Sequence, residues 1–211
     1  MIILSTLNAR YAHASLGLRY LLANMGELQD RTRLQEFVIG AKTTDIVEKL
    51  LAQQPRIIGF GVYIWNVEET GRVVAMLKQV APQVVIVLGG PEVSYEPQQQ
   101  AIVHAADYLI TGWGDVSFPQ LCRAILHGPQ PLMKIHAGVQ PPLDEIKLPY
   151  ALYSEQDLKH RILYVEASRG CPFKCEFCLS SLDKTAWPFE LERFLGELRS
   201  EERRVGKECR L

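Results

Sequence analysis

Short apolar runs alternate with amphipathic stretches over the first 130 residues of the chain. Several of the apolar runs are rich in β-branched residues, as in strands that are buried on both faces of a sheet. The stretches between them carry apolar residues at helical spacing. This pattern predicts five strands at 2–7, 33–39, 56–65, 83–90 and 107–112, and five helices at 16–25, 43–53, 67–80, 97–106 and 115–128.

Strands that alternate with helices predict a parallel sheet that is covered by helices on both faces. The predicted fold class is therefore α/β, with residues 1–130 as a doubly wound domain of the Rossmann or flavodoxin-like kind. A domain of this kind binds its ligand beyond the carboxyl ends of the strands, near the switch in strand order.

Small and polar residues stand at the predicted carboxyl ends of the strands. Any one glycine there is more simply explained by a tight turn, but together they favour a ligand that approaches the backbone closely. No G-x-G-x-x-G follows the first strand, which disfavours a nicotinamide or flavin dinucleotide. We expect cofactor contacts at Ser5, Asn8, Tyr63, Gly89, Gly90, Pro91, Gly112 and Gly114.

The pattern changes after residue 130. Residues 131–160 are rich in proline and lack helical periodicity, which predicts a linker with a short hairpin. Beyond it we expect a strand at 161–168 and a helix at 188–198, with Pro188 at the first helical position. The loop between them would lie at the carboxyl end of a strand, which is the face that holds the active site in a β/α barrel.

Composition narrows the classes of function. The 211 residues, 47% of them hydrophobic, are enough for one full domain and part of another. The formal net charge of -1 argues against general nucleic-acid binding. No apolar run of about 18 residues predicts a membrane span, and the first residues do not resemble a signal peptide. The five cysteines, three of them clustered, favour a metal or redox site in a reducing cytoplasm over a secreted disulfide framework.

Three cysteines, Cys171, Cys175 and Cys178, fall within eight positions of one loop. Structural zinc sites and electron-transfer clusters use four protein ligands. Three thiolates would leave one iron of a four-iron, four-sulfur (4Fe-4S) cluster open to an exogenous ligand, much as a catalytic metal keeps an open position. The alternatives are a zinc site that borrows a ligand such as His160 or Cys209, or three buried structural cysteines.

The stretch SRGCPFKCEFC, residues 168–178, resembles the C-x-x-x-C-x-aromatic-C signature of the radical S-adenosylmethionine (radical SAM) superfamily, with Phe177 as the aromatic residue. The resemblance implies a 4Fe-4S cluster on the three cysteines, S-adenosylmethionine on its open iron, and Phe177 beside these cofactors. It also implies reductive cleavage of S-adenosylmethionine to a 5′-deoxyadenosyl radical, which abstracts hydrogen from an unidentified substrate. The electron would come from an external donor such as flavodoxin or ferredoxin.

The first half of the chain extends this resemblance. GGPEVS (89–94) and TGWGDVSFPQL (111–121) are similar to two loops of the cobalamin-binding subgroup, in which the second loop usually reads G-E-G-E-x-x-F. Here Trp113 and Asp115 replace the two glutamates, whereas Phe118 is retained. The resemblance implies a corrinoid against the carboxyl edge of the sheet, facing the cluster, and a methyltransferase is one reaction that it admits.

One departure concerns the cobalt ligand. Cobalamin domains of the methionine-synthase type carry D-x-H-x-x-G, whose histidine binds cobalt. This chain reads YAHASLG, with His13 and Gly17 at another spacing. Either cobalt is bound without a protein histidine or the domain has lost cobalamin. A corrinoid-binding module without catalysis and a zinc-binding protein stay open as alternatives to a radical enzyme.

Residues 161–198 are predicted to form the first β-loop-α unit of a partial TIM barrel of the radical SAM type. Residues 199–211, RSEERRVGKECRL, show no barrel pattern and resemble the translation of a sequencing-adapter oligonucleotide, with a solvated helical tail as the alternative. We expect the natural protein to continue past about residue 198 and the chain as given to be an inactive fragment.

Overall fold

A six-stranded parallel sheet forms the centre of the molecule. The computed structural model describes residues 1–173, 175, 176, 178 and 185–205. Every neighbouring pair of strands in the sheet is parallel, in the order β2-β1-β3-β4-β5-β6. The strands are β1 (Ile2–Asn8), β2 (Thr32–Val38), β3 (Ile57–Gly61), β4 (Val85–Gly89), β5 (Tyr108–Thr111) and β6 (Ile135–Ala137).

Helices connect the strands and cover both faces of the sheet. The predicted α/β fold and its five strands are thus confirmed. The helix predicted at 97–106 is interrupted, because Gln100 is extended and separates a short 3-10 turn from the helix that follows. The helices are α1 (Leu16–Ala23), α2 (Thr43–Leu51), α3 (Val67–Val80), α4 (Pro91–Ser94), α5 (Ala101–Ala105) and α6 (Ser117–His127).

Two apolar cores lie on the two faces of the sheet. Successive side chains of a strand point to opposite faces. Accordingly, Ile3 of β1 packs with α2, α3 and α5, whereas Leu4 packs with α1 and α6. Cys122 of α6 is fully buried in the second core, and burial raises the pKa of its thiol to about 12. It is a core residue, as its place in the amphipathic helix predicted at 115–128 indicates.

The sixth strand lies inside the segment that was predicted as a linker. Ile135 pairs with Leu109 in parallel register, so the segment extends the sheet, and the prediction of a short hairpin was wrong. The strand has three half-buried or exposed residues. An edge strand this short carries too few apolar positions to produce a readable pattern.

The rest of the described chain has little sheet. It contains a 3-10 turn (Tyr150–Leu152), α7 (Glu155–His160), the paired strands β7 (Ser168–Arg169) and β8 (Trp187–Pro188), and α8 (Leu191–Val205). Pro188 is not the first helical residue, because it pairs with Ser168 in the antiparallel ribbon. None of the helices in the described part of the chain combines the length and the apolar content that a bilayer crossing requires.

The strand predicted at 161–168 was wrong except for its last residue and for Ile162, which forms an isolated parallel bridge with His13. This stretch is extended, but two tyrosine hydroxyls take the place of a neighbouring strand. Tyr153 Oη donates to the carbonyl of Tyr164 at 2.8 Å and accepts from its N–H at 3.1 Å. Tyr150 Oη makes the same pair of hydrogen bonds with Glu166, at 3.2 and 3.0 Å. An alternating sequence pattern cannot distinguish these two kinds of partner.

Candidate functional site

A cavity of about 330 Å³ opens at the carboxyl ends of β3, β4 and β5, beside the point where the strand order switches. We call it the edge cavity. Apolar side chains of α1 and α6, among them Leu18 and Phe118, form part of its wall. The rest of that wall is unusually rich in glycine. The glycines that line it are Gly17, Gly59, Gly61, Gly89, Gly90, Gly112, Gly114 and Gly170.

Gly90 shows why glycine is needed at this edge. Its φ of 114° lies in a region that other residues rarely adopt. A Cβ atom at this position would stand 2.4 Å from the carbonyl oxygen of Val62. The adjacent Val62 N–H donates to the carbonyl of Gly89 at 2.8 Å. The loop after β4 therefore lies directly on the exit of β3, and the cavity opens over bare backbone.

The predicted cofactor contacts divide into three groups. Gly89, Gly90, Gly112 and Gly114 line the edge cavity, and so does Tyr63. Tyr63 also lines a neighbouring cavity of about 370 Å³, which Asn8 reaches from β1. Ser5 and Pro91 line neither cavity. Ser5 is fully buried, and its hydroxyl donates to the carbonyl of Gln35 at 2.8 Å, so the structure gives it a role between β1 and β2.

The neighbouring cavity is bordered by two pairs of aromatic rings. Tyr63 stacks on Trp65 with ring centroids 4.5 Å apart. His13 Nδ1 lies 2.5 Å from the hydroxyl oxygen of Tyr164 in a hydrogen bond. His13 lines this cavity and not the edge cavity. No histidine is present among the described residues that line the edge cavity.

Asn66 organises the switch point, although it was not among the predicted cofactor contacts. Its side-chain amide is buried and donates to Thr6 Oγ1 at 3.1 Å and to the carbonyl of Leu7 at 3.0 Å. Its Oδ1 accepts from the Tyr63 N–H at 2.8 Å. This residue ties β1 to the loop after β3 and orients Tyr63. The available signal was a polar residue between a buried strand and a helix.

Arg169 joins the edge cavity to the segment that carries Cys171, Cys175 and Cys178, which we call the cysteine loop. Its guanidinium bonds both carboxylate oxygens of Asp115, at 2.6 and 3.1 Å, and its Nε donates to Glu166 at 3.0 Å. The guanidinium carbon lies 4.5 Å from the ring centroid of Tyr20 and 4.7 Å from that of Trp113. Burial opposes the charged form, but the hydrogen bonds and charges of the two carboxylates outweigh burial and raise the pKa of Arg169.

Two of these partners are the positions at which the chain departs from the G-E-G-E-x-x-F pattern. Trp113 and Asp115 both contact Arg169, and all three residues line the edge cavity. Phe118, the retained position, also lines the cavity and is 3% exposed. The loop after β5 thus faces the second half of the chain as well as the cavity.

The three clustered cysteines do not line the edge cavity. Cys175 is exposed, and Cys171 and Cys178 are half-buried. The Cys178 N–H donates to the carbonyl of Cys175 at 3.1 Å, which closes a turn. Within the described residues, no three Cys, His, Asp or Glu side chains converge on a possible metal position. Three thiols are chemically suitable ligands for an iron–sulfur cluster. Their arrangement in this structure, however, does not bring them close enough together to hold one. Phe177 and Cys209 lie outside the described residues.

Comparisons with known proteins indicate the family of the sheet domain. Residues 4–122 match the model of the B12 binding domain family. The cobalamin-dependent radical SAM methyltransferase TokK of Streptomyces tokunonensis is 28% identical over 172 residues, which cover 69% of this chain and 25% of TokK. The uncharacterized methyltransferase PH0819 of Pyrococcus horikoshii is 26% identical over 207 residues, covering 87% of this chain and 44% of that protein.

A solved structure has the same fold. The cobalamin-dependent S-adenosylmethionine radical enzyme OxsB, with aqua-cobalamin bound, superposes with a TM-score of 0.71 at 16% identity. The match covers 97% of this chain and 32% of OxsB. The chain thus spans between a quarter and somewhat less than half of the curated relatives TokK and PH0819. Because the family model matches more than half of its residues, the chain belongs to the B12 binding domain family.

Proposed function

We propose that the chain binds cobalamin at the edge cavity. One observation carries this proposal: in a member of the B12 binding domain family, a glycine-walled cavity opens where three parallel strands end beside the switch point. Ligands of doubly wound sheets bind at this place. Glycine backbone offers N–H and C=O groups at close range, which suits the amide groups around a corrin ring.

The cavity is smaller than a whole corrinoid, so only part of the cofactor enters it. The remainder would cover the carboxyl edge of the sheet. Two apolar residues after β3 are available there, because Ile64 is 77% exposed and Trp65 49% exposed. Tyr95, which follows α4, is 50% exposed. Burial of such side chains beneath a large ring favours binding through the hydrophobic effect.

The sequence left two options for cobalt. The described residues that line the edge cavity include no histidine, which favours cobalamin bound without a protein imidazole. His13 is instead hydrogen-bonded to Tyr164 in the neighbouring cavity. We therefore expect His13→Ala to leave the absorbance spectrum of bound cobalamin unchanged.

Titration of the chain with hydroxocobalamin tests the proposal, with retention of the corrinoid measured by absorbance after gel filtration. Gly61→Val should weaken binding at least about tenfold, because the added methyl groups occupy the cavity. A Cβ at Gly61 meets its neighbours at ordinary distances of 3.5 Å and more, and circular dichroism verifies that the valine variant is folded. Gly71→Val, in α3 and away from the cavity, is the matched control. No retention by the wild-type chain contradicts the proposal.

We further propose that the chain is the cobalamin-binding part of a radical SAM enzyme, with a methyltransferase as the reaction type. The names of TokK and PH0819 support the reaction type, and the C-x-x-x-C-x-x-C spacing supports a 4Fe-4S cluster on Cys171, Cys175 and Cys178. Because metal binding is coupled to folding, loading with iron would have to bring the thiols together. S-adenosylmethionine, a substrate and an external electron donor belong to this proposal.

Anaerobic reconstitution with iron and sulfide tests the cluster. We expect a broad charge-transfer absorbance that is lost in Cys175→Ala and retained in Cys122→Ala, the matched buried cysteine. Uptake of one equivalent of tightly bound zinc, with no cluster formed, would instead favour the zinc-binding alternative. Retention of cobalamin without cluster formation would favour a corrinoid-binding module.

A further inference from the structure

Arg169 stands where three separate parts of the chain meet. Tyr20 comes from α1, Trp113 and Asp115 come from the loop after β5, and Phe189 precedes α8. Arg169 is the last residue of β7, and Cys171 follows two positions later. Arg169 itself lines the edge cavity together with Gly170.

The contacts of Arg169 fix both its position and its plane. A bidentate pair with a carboxylate allows only one orientation of the guanidinium. Its side chain is 12% exposed and that of Asp115 is 6% exposed, so water competes weakly for the pair. Tyr20 and Trp113 add cation–π contacts. A lysine would keep the charge but lose the planar fork, so it could not reproduce this set of contacts.

The connection from Arg169 to the cysteines is short and stiff. Gly170 has a φ of 79°, and a Cβ there would stand 2.0 Å from the carbonyl oxygen of Thr185. The chain therefore turns sharply between Arg169 and Cys171, against the backbone of Thr185, which precedes β8. With one residue between them and that residue held in a tight turn, the position of Cys171 follows that of Arg169.

We propose that Arg169 is a positioning residue: its pairing with Asp115 and Trp113 holds the cysteine loop at the mouth of the edge cavity. We call the pairing of Arg169 with Asp115 and Trp113 the clamp. The clamp should bring a ligand of the cavity and the thiols of the loop side by side. Its meaning for cobalamin rests on the function proposed above, whereas the clamp itself can be measured without any ligand.

The test measures the rate at which iodoacetamide alkylates Cys171 in the full chain. Peptide mass spectrometry monitors the alkylation, and the reaction is run with and without cyanocobalamin. The variants are Arg169→Ala, Arg169→Lys, Asp115→Asn, Asp115→Glu and the double variant Arg169→Ala with Asp115→Asn. Arg123→Ala is the matched control, because Arg123 also makes a two-point pair, with Glu27 at 2.5 and 3.0 Å, but does not line the cavity. Circular dichroism verifies that each variant is folded.

Without cobalamin, we expect Arg169→Ala, Arg169→Lys and Asp115→Asn each to accelerate alkylation of Cys171 about five- to tenfold. The double variant should add little to either single change, because both remove one interaction. Asp115→Glu retains the carboxylate and should stay within about twofold of wild type, which a general loss of packing would not produce. Arg123→Ala should have no effect. In the wild type, cyanocobalamin should slow alkylation further, and in Arg169→Ala this protection should be lost.

Equal alkylation rates of Cys171 in the wild type and in folded Arg169→Ala or Arg169→Lys would overturn the clamp. If cobalamin is nevertheless retained by the wild type, the proposed function stands and only the clamp fails. If the variants accelerate alkylation but the wild type retains no cobalamin, the clamp is supported and the proposed function fails.

Discussion

The sheet domain and the segment after it, residues 138–205, are stabilised by different balances of forces. All seven residues of β1 are buried, and both faces of the sheet carry continuous apolar cores. In the described part of residues 138–205, the two strands have two residues each, and two small apolar clusters, around Tyr150 and around Ile146, pack with α1 beside a set of buried ion pairs. Arg19 of α1 pairs with Asp157 of α7 at 2.9 Å, and Arg161 pairs with Glu36 of β2 at 2.9 Å.

This difference determines what each region can tolerate. Apolar burial is non-directional and spread over many residues, so the sheet domain depends on their total. A buried ion pair is directional, and loss of one partner leaves an uncompensated charge. Arg19 is 2% exposed and bonds both Glu36 and Asp157, so single charged residues carry part of the attachment of the second region, beside its two small apolar clusters. We therefore expect the placement of the cysteine loop to be sensitive to single substitutions at these ion pairs.

The largest expected contrast is in thiol reactivity. Burial raises the pKa of the Cys122 thiol to about 12, compared with about 8.5 for an unperturbed cysteine, and the thiolate is the reactive form. At pH 8 we expect Cys122 to react with iodoacetamide about a thousandfold more slowly in the native chain than in urea. Exposed Cys175 should react readily without urea. Equal native rates for the two cysteines would show that the core around α6 is open.

The second prediction tests the backbone contact at the cavity. Gly90→Ala should lower the free energy of unfolding by about 3 kcal/mol, because it combines a strained φ with a contact to Val62 that is too short. Urea unfolding followed by circular dichroism measures this loss. A loss below about 1 kcal/mol would mean that the loop after β4 moves away from β3 at little cost.

The same contrast explains how far the sequence could predict the structure. The strands of the sheet domain are long apolar runs, and the glycines of the edge cavity follow them directly, so both were predictable from local pattern. β6 was missed because Ile135–Ala137 is short and lies at the sheet edge. Arg169 was missed because Asp115 is 54 positions away in sequence, and nothing in the local sequence around a single arginine indicates which residue it pairs with.

The third prediction concerns the attachment of α7. Burial tends to raise the pKa of Asp157, but a hydrogen bond from the Ser154 N–H and the charge of Arg19 outweigh it and hold the pKa below its usual range. A lowered folded-state pKa adds stability that is present above the unfolded value of about 3.9 and is lost as pH falls through the folded value. Asp157→Asn should therefore cost about 1–2 kcal/mol at pH 7, and less in acid.

Urea unfolding at pH 7 and again below pH 4 measures this effect, with the wild type and Asp157→Asn compared at each pH. Asp144→Asn, at an exposed position, is the control and should change stability by less than about 0.5 kcal/mol. A difference between the wild type and Asp157→Asn that stays constant across this range would rule out the ion pair with Arg19 as its source. Since Arg161 also faces Asp157, at 3.3 Å, part of the loss belongs to that contact.

The smallest effect sharpens the comparison from the opposite direction. Gly71 lies inside α3, where a Cβ would stand 4.0 Å from the Cβ of Ile102, an ordinary contact. Gly71→Ala should raise the free energy of unfolding by about 0.5–1 kcal/mol, because alanine restricts the unfolded chain and favours the helix. Because Gly71 does not contact the cysteine loop, the native alkylation rate of Cys171 should not change. A slower rate would mean that added stability in the sheet domain reaches the cysteine loop, and the two regions would then behave as a single cooperative unit.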